Sequence, residues 1–412
     1  MLTINSADAA IEPDVIGEPV SPAAHLDITV EVSDRIELVE AVWRSLTATS
    51  IESPGQSYDF IRHWVANRKV SPADQRYVVG RVDGQPVALL PLVRNRVHGL
   101  RVLTWFPGAN AGCYAPIADY RRLAALGVEG RCALWAAMTR DLKGTDVIYL
   151  RSVPSRIDGH LGLLDELGST LAVEKLYRSE YSSWEECDRL QRSKSRRKHD
   201  RQQGDRLAAM GDVVFEETGN GGEAAGAIEE MFVQRSARFK AMGIRDTFVR
   251  DRLIGFYQDM AKAGSGVDVR LHVLRLNGKI AAVRYNIVHN DRMFCLISSM
   301  SECPVTQGGS PGKQCLLRVM QTVFDQGIRV FDMGSGFTDE KRHWCNVQEP
   351  LRHHYIGLTL QGAVIVKAHR MFQKARAAIK SNPQLKAAAR TLHQLADRIT
   401  PAPAAMAADK SE

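Results

Sequence analysis

What the chain lacks narrows it first. No apolar run in its 412 residues approaches the roughly 20 that a membrane-spanning helix needs, so the sequence predicts no transmembrane segment. The opening MLTINSADAAIEPDVIGEPV has neither the basic nor the apolar stretch of a signal peptide and reads as a disordered leader over 1–25. Cysteine is sparse: seven residues, scattered, with no CxxC pair and no close Cys/His cluster. That argues against a disulfide framework and structural zinc, and for unpaired thiols in a reducing, cytoplasmic compartment with no metal. Acidic residues are outnumbered, 47 against 54 Lys and Arg, and the net charge of +7 suits an anionic ligand. A nucleotide cofactor, a nucleic acid or an anionic membrane face would each answer to it.

What is present is an ordinary globular composition, 44% hydrophobic and 25% charged, in a chain too long for one typical domain. DRIELVEAVWRSL places Ile36, Val39, Trp43 and Leu46 on one helical face, with Asp34 and Glu37 spaced as a capping box. A second helix is expected in YDFIRHWVANR. RYVVGRVDGQPVALLPLVR then reads as strand, Asp83-Gly84 turn, strand, and LRVLTWF as a third strand. A helix over 129–142 and a strand in DVIYLRS follow. The second half restates the pattern: helices in IEEMFVQRSARFKAM and RDRLIGFYQDMAKAG, strands around an Asn277-Gly278 turn in VRLHVLRLNGKIAAVRYNIV, a third strand in RMFCLISS, a helix over 312–326, and the strand IRVFDMG. The match of RVDG with RLNG, followed in both halves by strand, strand, helix, strand, predicts a duplicated α/β unit.

The halves differ before the helix. The second carries TQGGSPGK at 306–313, whereas the first carries DYRRLAALGVEG. A Walker A loop needs GxxxxGK[ST]; here only three residues separate Gly308 from Gly312, and Gln314 stands where the magnesium-binding hydroxyl belongs. The Rossmann fingerprint GxGxxG is also absent. What remains is a row of backbone N–H groups at a helix N-terminus, suited to an anion. Pro311 stiffens the turn without leaving an N–H unpaired, and Ser310 or Lys313 adds a direct contact.

Strand, strand, glycine loop, helix, strand resembles the core of the GNAT acyltransferases, which hold the pyrophosphate of acetyl-CoA on a Q/R-x-x-G-x-G/A loop. Gln307-Gly308-Gly309-Ser310-Pro311-Gly312 agrees at Gln307 and Gly312 and departs at Ser310, where the family usually has glycine. Over residues 28–370 the chain resembles one branch more closely, the CelD/BcsL-type acetyltransferases associated with cellulose and exopolysaccharide biosynthesis, relatives of the Fem-type aminoacyl transferases. VALLPLVRNRVHGLRVLTWFPG, RSKSRRKHDRQQGDRLAAMG, SPGK and FDMGSGFTDEKRHW carry that resemblance. It implies an α/β fold of two tandem GNAT-like acyltransferase domains, each a mixed, mostly antiparallel sheet flanked by helices. The domains would span 26–185 and 211–370, joined by a basic linker helix at 186–210 and followed by basic helices at 371–400 and a disordered tail at 401–412. It also implies acetyl-CoA (acyl-CoA) as co-substrate, bound by Gln307, Gly308, Gly309, Ser310, Gly312 and Lys313, with the strand at 279–288 splayed to receive the pantetheine.

Direct attack by an amine or hydroxyl on a thioester requires a general base and stabilisation of the oxyanion. Asp332 could accept a proton, orient a partner or simply cap its strand. Glu340 and His343, three apart, could share a helical face as candidate bases or form a surface ion pair. By analogy with the Fem relatives Lys341 would hold an oxyanion or an anionic acceptor. Trp344 reads as packing or a sugar platform, and Tyr355 as a substrate contact on a strand whose side chains alternate. The run RSKSRRKHDR spreads its cations around a helix without interleaved aromatics, which argues for a solvated linker rather than a nucleic-acid surface. The tail helices would dock, mediate assembly or touch an anionic membrane peripherally. Expected, then, is transfer of an acetyl group to a small-molecule or glycan-precursor acceptor. The alternatives are a Fem-type transferase using aminoacyl-tRNA and a non-catalytic scaffold in a polysaccharide assembly.

Overall fold

The computed structural model describes residues 26–97, 99–106, 111–243 and 246–381; the expected leader, the tail beyond 381 and the break near Pro383 lie outside them. The long strands are β1 (Ile28–Ser33), β2 (Gln75–Val82), β3 (Gln85–Val97), β4 (Leu100–Trp105), β5 (Val147–Pro154) and β6 (Ser169–Glu180) in the first half. The second half has β7 (Val213–Thr218), β8 (Asp268–Leu276), β9 (Lys279–His289), β10 (Arg292–Met300), β11 (Val330–Ser335) and β12 (Val347–Gly357). Helices α1 (Glu40–Leu46), α2 (Tyr58–Arg68), α3 (Tyr120–Ala125), α4 (Gly127–Arg140), α5 (Trp184–Gln191) and α6 (Lys194–Ala208) precede β7. Then come α7 (Ala224–Ala241), α8 (Thr247–Arg250), α9 (Ile254–Met260), α10 (Pro304–Gln307), α11 (Pro311–Asp325), α12 (Asp339–Trp344) and α13 (Leu360–Ser381).

Among the described residues these strands build one mixed sheet of 13, in the order β1-β2-β3-β4-β5-β12-β6-β11-β10-β9-β8-β7, with Ile117–Ala118 paired on β3. The order is a palindrome of position: each strand of the first half has its counterpart six strands later in the chain. The hairpins show the repeat at atomic scale. Asp83-Gly84 and Asn277-Gly278 both turn with positive φ, 51 and 74° against 52 and 75°, the two-residue geometry that suits strand twist. Asp83 N–H donates to the Asp27 carbonyl at 2.8 Å and Asn277 N–H to that of Asp212 at 2.8 Å. The Asp83 and Asn277 side chains each accept the N–H of that same residue in return.

The sequence does not announce how the halves join. The last strand of each unit crosses to the other: β12 pairs with β5 as well as β6, and β6 pairs with β12 and with β11. The two expected sheets are therefore continuous. A buried charge network crosses the seam. Arg178 on β6 donates to Glu52 of the first unit at 2.6 Å and to Asp332 on β11 at 2.8 Å, and Arg292 on β10 reaches Glu52 at 3.0 Å. Burial by itself would raise the Glu52 pKa, but the two guanidinium groups bring it down to about 2, which keeps the network charged at neutral pH.

Three local expectations change. The first helix begins as a 3-10 turn, Ile36–Val39, whose N-cap is Arg35 rather than Asp34 and which has no side-chain cap. Its apolar face is as read, with Ile36, Val39 and Trp43 buried. The helix expected over RDRLIGFYQDM breaks at Arg252, whose φ of 50° leaves the helical region, so α8 and α9 are separate. The basic stretch is not a free linker: α6 seats Asp200, Gln203 and Leu207 on the second unit while Lys194, Lys198 and Arg201 face solvent. Against the sheet, α11 buries Cys315, Leu316, Val319, Met320 and Val323, spaced for one helical face. Each of the larger side chains contributes about 1.5–3 kcal/mol of burial.

Candidate functional site

The site follows from an incomplete strand pairing. β10 runs parallel to β11 only where Arg292, Met293 and Phe294 oppose Val330, Phe331 and Asp332. Beyond Phe294 it stays paired with β9 through Met300 but leaves β11. β11 meanwhile follows β6 on its other side, with a register slip between Asp332 and Ser335. The opening is a cleft of about 310 Å³, walled by Cys295–Ser298 and by Met333–Ser335, with Arg235, Arg284, Glu340 and Lys341 among its lining. The register with β9 jumps from Asn286↔Cys295 to Tyr285↔Ile297, so Leu296 is a bulge residue opposite no partner. The sequence reading placed the splay at 279–288. That strand, β9, is instead laddered on both edges, so its backbone groups are consumed and β10 is the strand that opens. The first unit closes one side of the cleft with Gly112, where an added Cβ would lie 3.9 Å from Gly334 Cα.

The glycine loop abuts this cleft, but it is less open than its composition suggests. Gly309 N–H donates to Thr306 O at 3.1 Å and Ser310 N–H to Gln307 O at 3.0 Å, so neither amide faces outward. Gly309 is required for packing: a Cβ there would meet Leu207 Cγ of α6 at 2.3 Å. Ser310 takes a left-handed φ of 50° at the head of α11, and its Oγ accepts from Gln203 Nε2 at 2.9 Å. Gln307 Nε2 donates back to Ser301 O at 2.9 Å. Gln314 Nε2 donates to Asp200 O at 2.7 Å, which locks the loop to α6. What stays available is the exposed Gly308, the exposed Lys313 and the Gly312 amide, which follows Pro311 in the first turn. An anion there meets one amide, the helix dipole and a lysine, not a row of amides.

The segment after β11 supplies the polar wall. Asp332 is 4% exposed; one carboxylate oxygen holds Arg178 and the other accepts Gly334 N–H at 2.8 Å. Both oxygens are thus engaged, and Asp332 positions the strand end and Arg178 rather than facing the cleft. Lys341 lines the cleft, yet its ammonium donates to the carbonyls of Gly334, Ser335 and Gly336 at 3.2, 2.5 and 2.9 Å. Its three donors are committed to holding that turn, and burial lowers its pKa. Glu340 also lines the cleft, with its carboxylate 3.1 Å from Arg284 Nη2 and partly open to solvent. His343 stands outside the lining, toward α6 and α11. Burial first, then the charges of Arg196, Arg342 and Lys313, depress its imidazole below its ordinary pKa.

Two sequence candidates fall away from the cleft. Trp344 is 4% exposed, packs beside Trp184 at 6.1 Å and belongs to the core behind α11. Tyr355 is on β12, two strands from β11, buried against Tyr149 of β5 and lining a separate apolar cavity beneath α13. The burial of one and the strand exchange that carries off the other explain why neither meets the site. Conversely, Arg284 and Arg235 are functional candidates that sequence reasoning passed over. Arg284 is 4% exposed on β9, and beyond Glu340 it donates to the Gly312 carbonyl at 3.4 Å, so it ties the cleft to the loop. A charged residue inside the apolar run IAAVRYNIV was its signal, since an arginine there is buried unless the strand is at an edge. Arg235 sits on the helix α7 with no such mark.

With this geometry in hand, the comparisons with known proteins become specific. Residues 194–342 match the family model described as an acetyltransferase (GNAT) domain. The match starts at α6 and ends in α12. It therefore spans the loop and the cleft and leaves the first unit outside. Among solved structures the chain is similar to FemX, at 10% identity and a TM-score of 0.50, over 77% of this chain and 95% of that one. It is also similar to L-PGS from Bacillus licheniformis, at 13% identity and a TM-score of 0.46 over 82% and 97%. A tandem GNAT protein from the clavulanic acid biosynthesis pathway aligns at 12% identity and a TM-score of 0.41 over 81% and 99%. No curated protein sequence matches the chain. The fold is GNAT-like; the chemistry rests on the site.

Proposed function

We propose that the protein is an acyl-CoA-dependent acyltransferase whose thioester lies in the opening between β10 and β11. The observation that carries this is the strand edge from Cys295 to Ser298, left without a β11 partner beside an anion-suited helix start. An extended pantetheine arm can pair with such an edge as an added strand would. The unpartnered bulge at Leu296 offers an N–H where negative charge develops on a carbonyl in the cleft. Glu340 is the residue in reach of an attacking hydroxyl or amine, and it takes the proton. Arg284 fixes its carboxylate, and Lys341 holds the turn that shapes the far wall. His343, Arg196 and Lys313 form the basic approach at the head of α11, where coenzyme phosphates would rest.

The acceptor we propose is a sugar, nucleotide-sugar or polysaccharide precursor, supported by the CelD/BcsL resemblance. Calorimetric titration of acetyl-CoA into the wild type and a Gly312→Trp variant tests the reading. Saturable binding in the wild type, lost in a folded variant, is the expected outcome. An absence of heat with wild-type protein would exclude the acyl-CoA reading. The exposed basic face of α6 favours one second reading, an aminoacyl-tRNA donor, for which binding would fall steeply with salt.

A further inference from the structure

We infer that the acceptor bound in this cleft carries an oxyanion group, a carboxylate or a phosphate, and that Arg235 recognises it. Arg235 projects from α7 into the cleft lining. Its guanidinium lies over two rings, 4.3 Å from the centroid of Phe239 and 4.0 Å from that of Phe248. Stacking of this kind fixes the plane of the fork and strips its faces of water. The Nε–H is buried and has no acceptor. Among the described residues no carboxylate forms an ion pair with it. The neighbouring acid, Asp246, is spent on Ser236 Oγ at 2.6 Å and on capping α8 through the amides of Phe248 and Val249.

The rest of the cleft does not relieve this. Arg284 takes the one lining carboxylate, Glu340, and still keeps its own Nε unpaired. Lys341 is turned to backbone carbonyls. Among the described residues of the lining, three cations therefore meet one anion in about 310 Å³. The fork has no protein counter-charge among these residues, and a ligand oxyanion at its cleft-facing end supplies one in the paired geometry that an arginine matches best. Behind Phe248 the Tyr257 ring stacks at 5.9 Å, and its buried hydroxyl is also without a partner. A neutral acceptor could accept hydrogen bonds from the arginines but would leave their charge unbalanced. The coenzyme phosphates are assigned elsewhere, to Gly312 and Lys313, so the oxyanion belongs to the other substrate. Only the word acceptor rests on the acyl-transfer reading; the anion site stands on its own geometry.

The test is calorimetric titration of malonate, malonamide and inorganic phosphate into the full chain, with and without saturating CoA, at fixed ionic strength. Malonate or phosphate should bind and malonamide should not, and the tighter of the two oxyanions names the acceptor's group. With CoA saturating the loop, the malonate affinity should stay within about threefold of its value without CoA. Arg235→Met, which keeps a chain able to lie between the rings, should weaken it by about tenfold or more. Should Arg235→Met unfold, Arg235→Lys retains charge and stem but loses the fork, and an intermediate weakening is expected. Competition by CoA together with loss in Lys313→Gln would assign the anion to the coenzyme phosphates and overturn the inference. Equal binding of malonamide, or no oxyanion binding at all, would also overturn it. Oxyanion binding through Arg235 without any binding of CoA would remove the acyl-CoA reading and leave this one standing.

Discussion

The two units carry the same opening and treat it differently. In the first, β4 pairs with β5 only at Val102↔Val147 and Leu103↔Ile148, so the strands part as β10 and β11 do. There the gap is filled. Trp105 is 3% exposed, donates its indole N–H to Arg151 O across the gap at 3.2 Å, and stacks on Tyr114. In the second unit the equivalent region holds a cleft lined by Arg284, Glu340 and Arg235. The helix that follows differs too: α4 begins at Leu126-Gly127 with Glu129 in its first turn, which repels an anion, while α11 begins at Ser310-Pro311-Gly312. Duplication thus supplied two frames. One holds the candidate cleft, and the other lends Gly112 to its wall and Glu52 to the seam.

Exchanging the plugs gives the largest effect. Ser298→Trp, placed on the open edge, should mimic the first unit and weaken acetyl-CoA binding by about 100-fold or more, some 2.7 kcal/mol, with little change in thermal stability. The reverse change, Trp105→Ala, should cost about 3–5 kcal/mol of stability through the cavity it leaves and create no second coenzyme site. A second equivalent of bound acetyl-CoA in that variant would break the comparison. Next comes the seam. Glu52→Gln leaves Arg178 and Arg292 short of a charge and should cost about 3 kcal/mol at neutral pH. Because the folded Glu52 pKa is about 2, below its ordinary 4.5, the contribution is complete above pH 4.5 and is lost as pH falls toward 2. Melting curves of wild type and variant should therefore converge on acidification, and a gap constant from pH 7 to 2.5 would assign the effect to packing. The smallest effect tests the repeat itself. Gly84→Ala and Gly278→Ala each place a Cβ at φ near 75° in open space and should each cost about 1 kcal/mol. Equal losses, with acetyl-CoA affinity unchanged, are expected; a loss confined to one hairpin would show that the units are not equivalent in strength.

The hairpins were legible because their information is local: RVDG and RLNG set turn and register within four residues. The apolar spacing of α11 and the segment 332–344 were legible for the same reason. Tyr355 was misplaced because strand exchange is decided by pairing across some 180 residues, as between Tyr355 and Ser169, and no local signal records it. Lys341 lines the cleft, but where its donors go was not legible, since only the turn of Gly334–Gly336 shows it. Gly309 looked like a ligand contact and is a packing contact, because the helix that needs the room, α6, is 100 residues away. Arg235 left no trace in the pattern: an arginine on an amphipathic helix reads as solvated until the two phenylalanines are seen around it.

The crossing of β6 and β12 also dictates when this chain can become a protein. During synthesis the first unit emerges with β5 lacking one neighbour and β6 lacking both, because their partners lie in β11 and β12. Those edges stay open until residues 330–357 leave the ribosome, and open strand edges recruit strands from other chains. Completion of the sheet must therefore wait for β12, with long-range pairing as its slow step. A stop between β6 and β12 yields one fragment with open, adhesive strand edges rather than a working half.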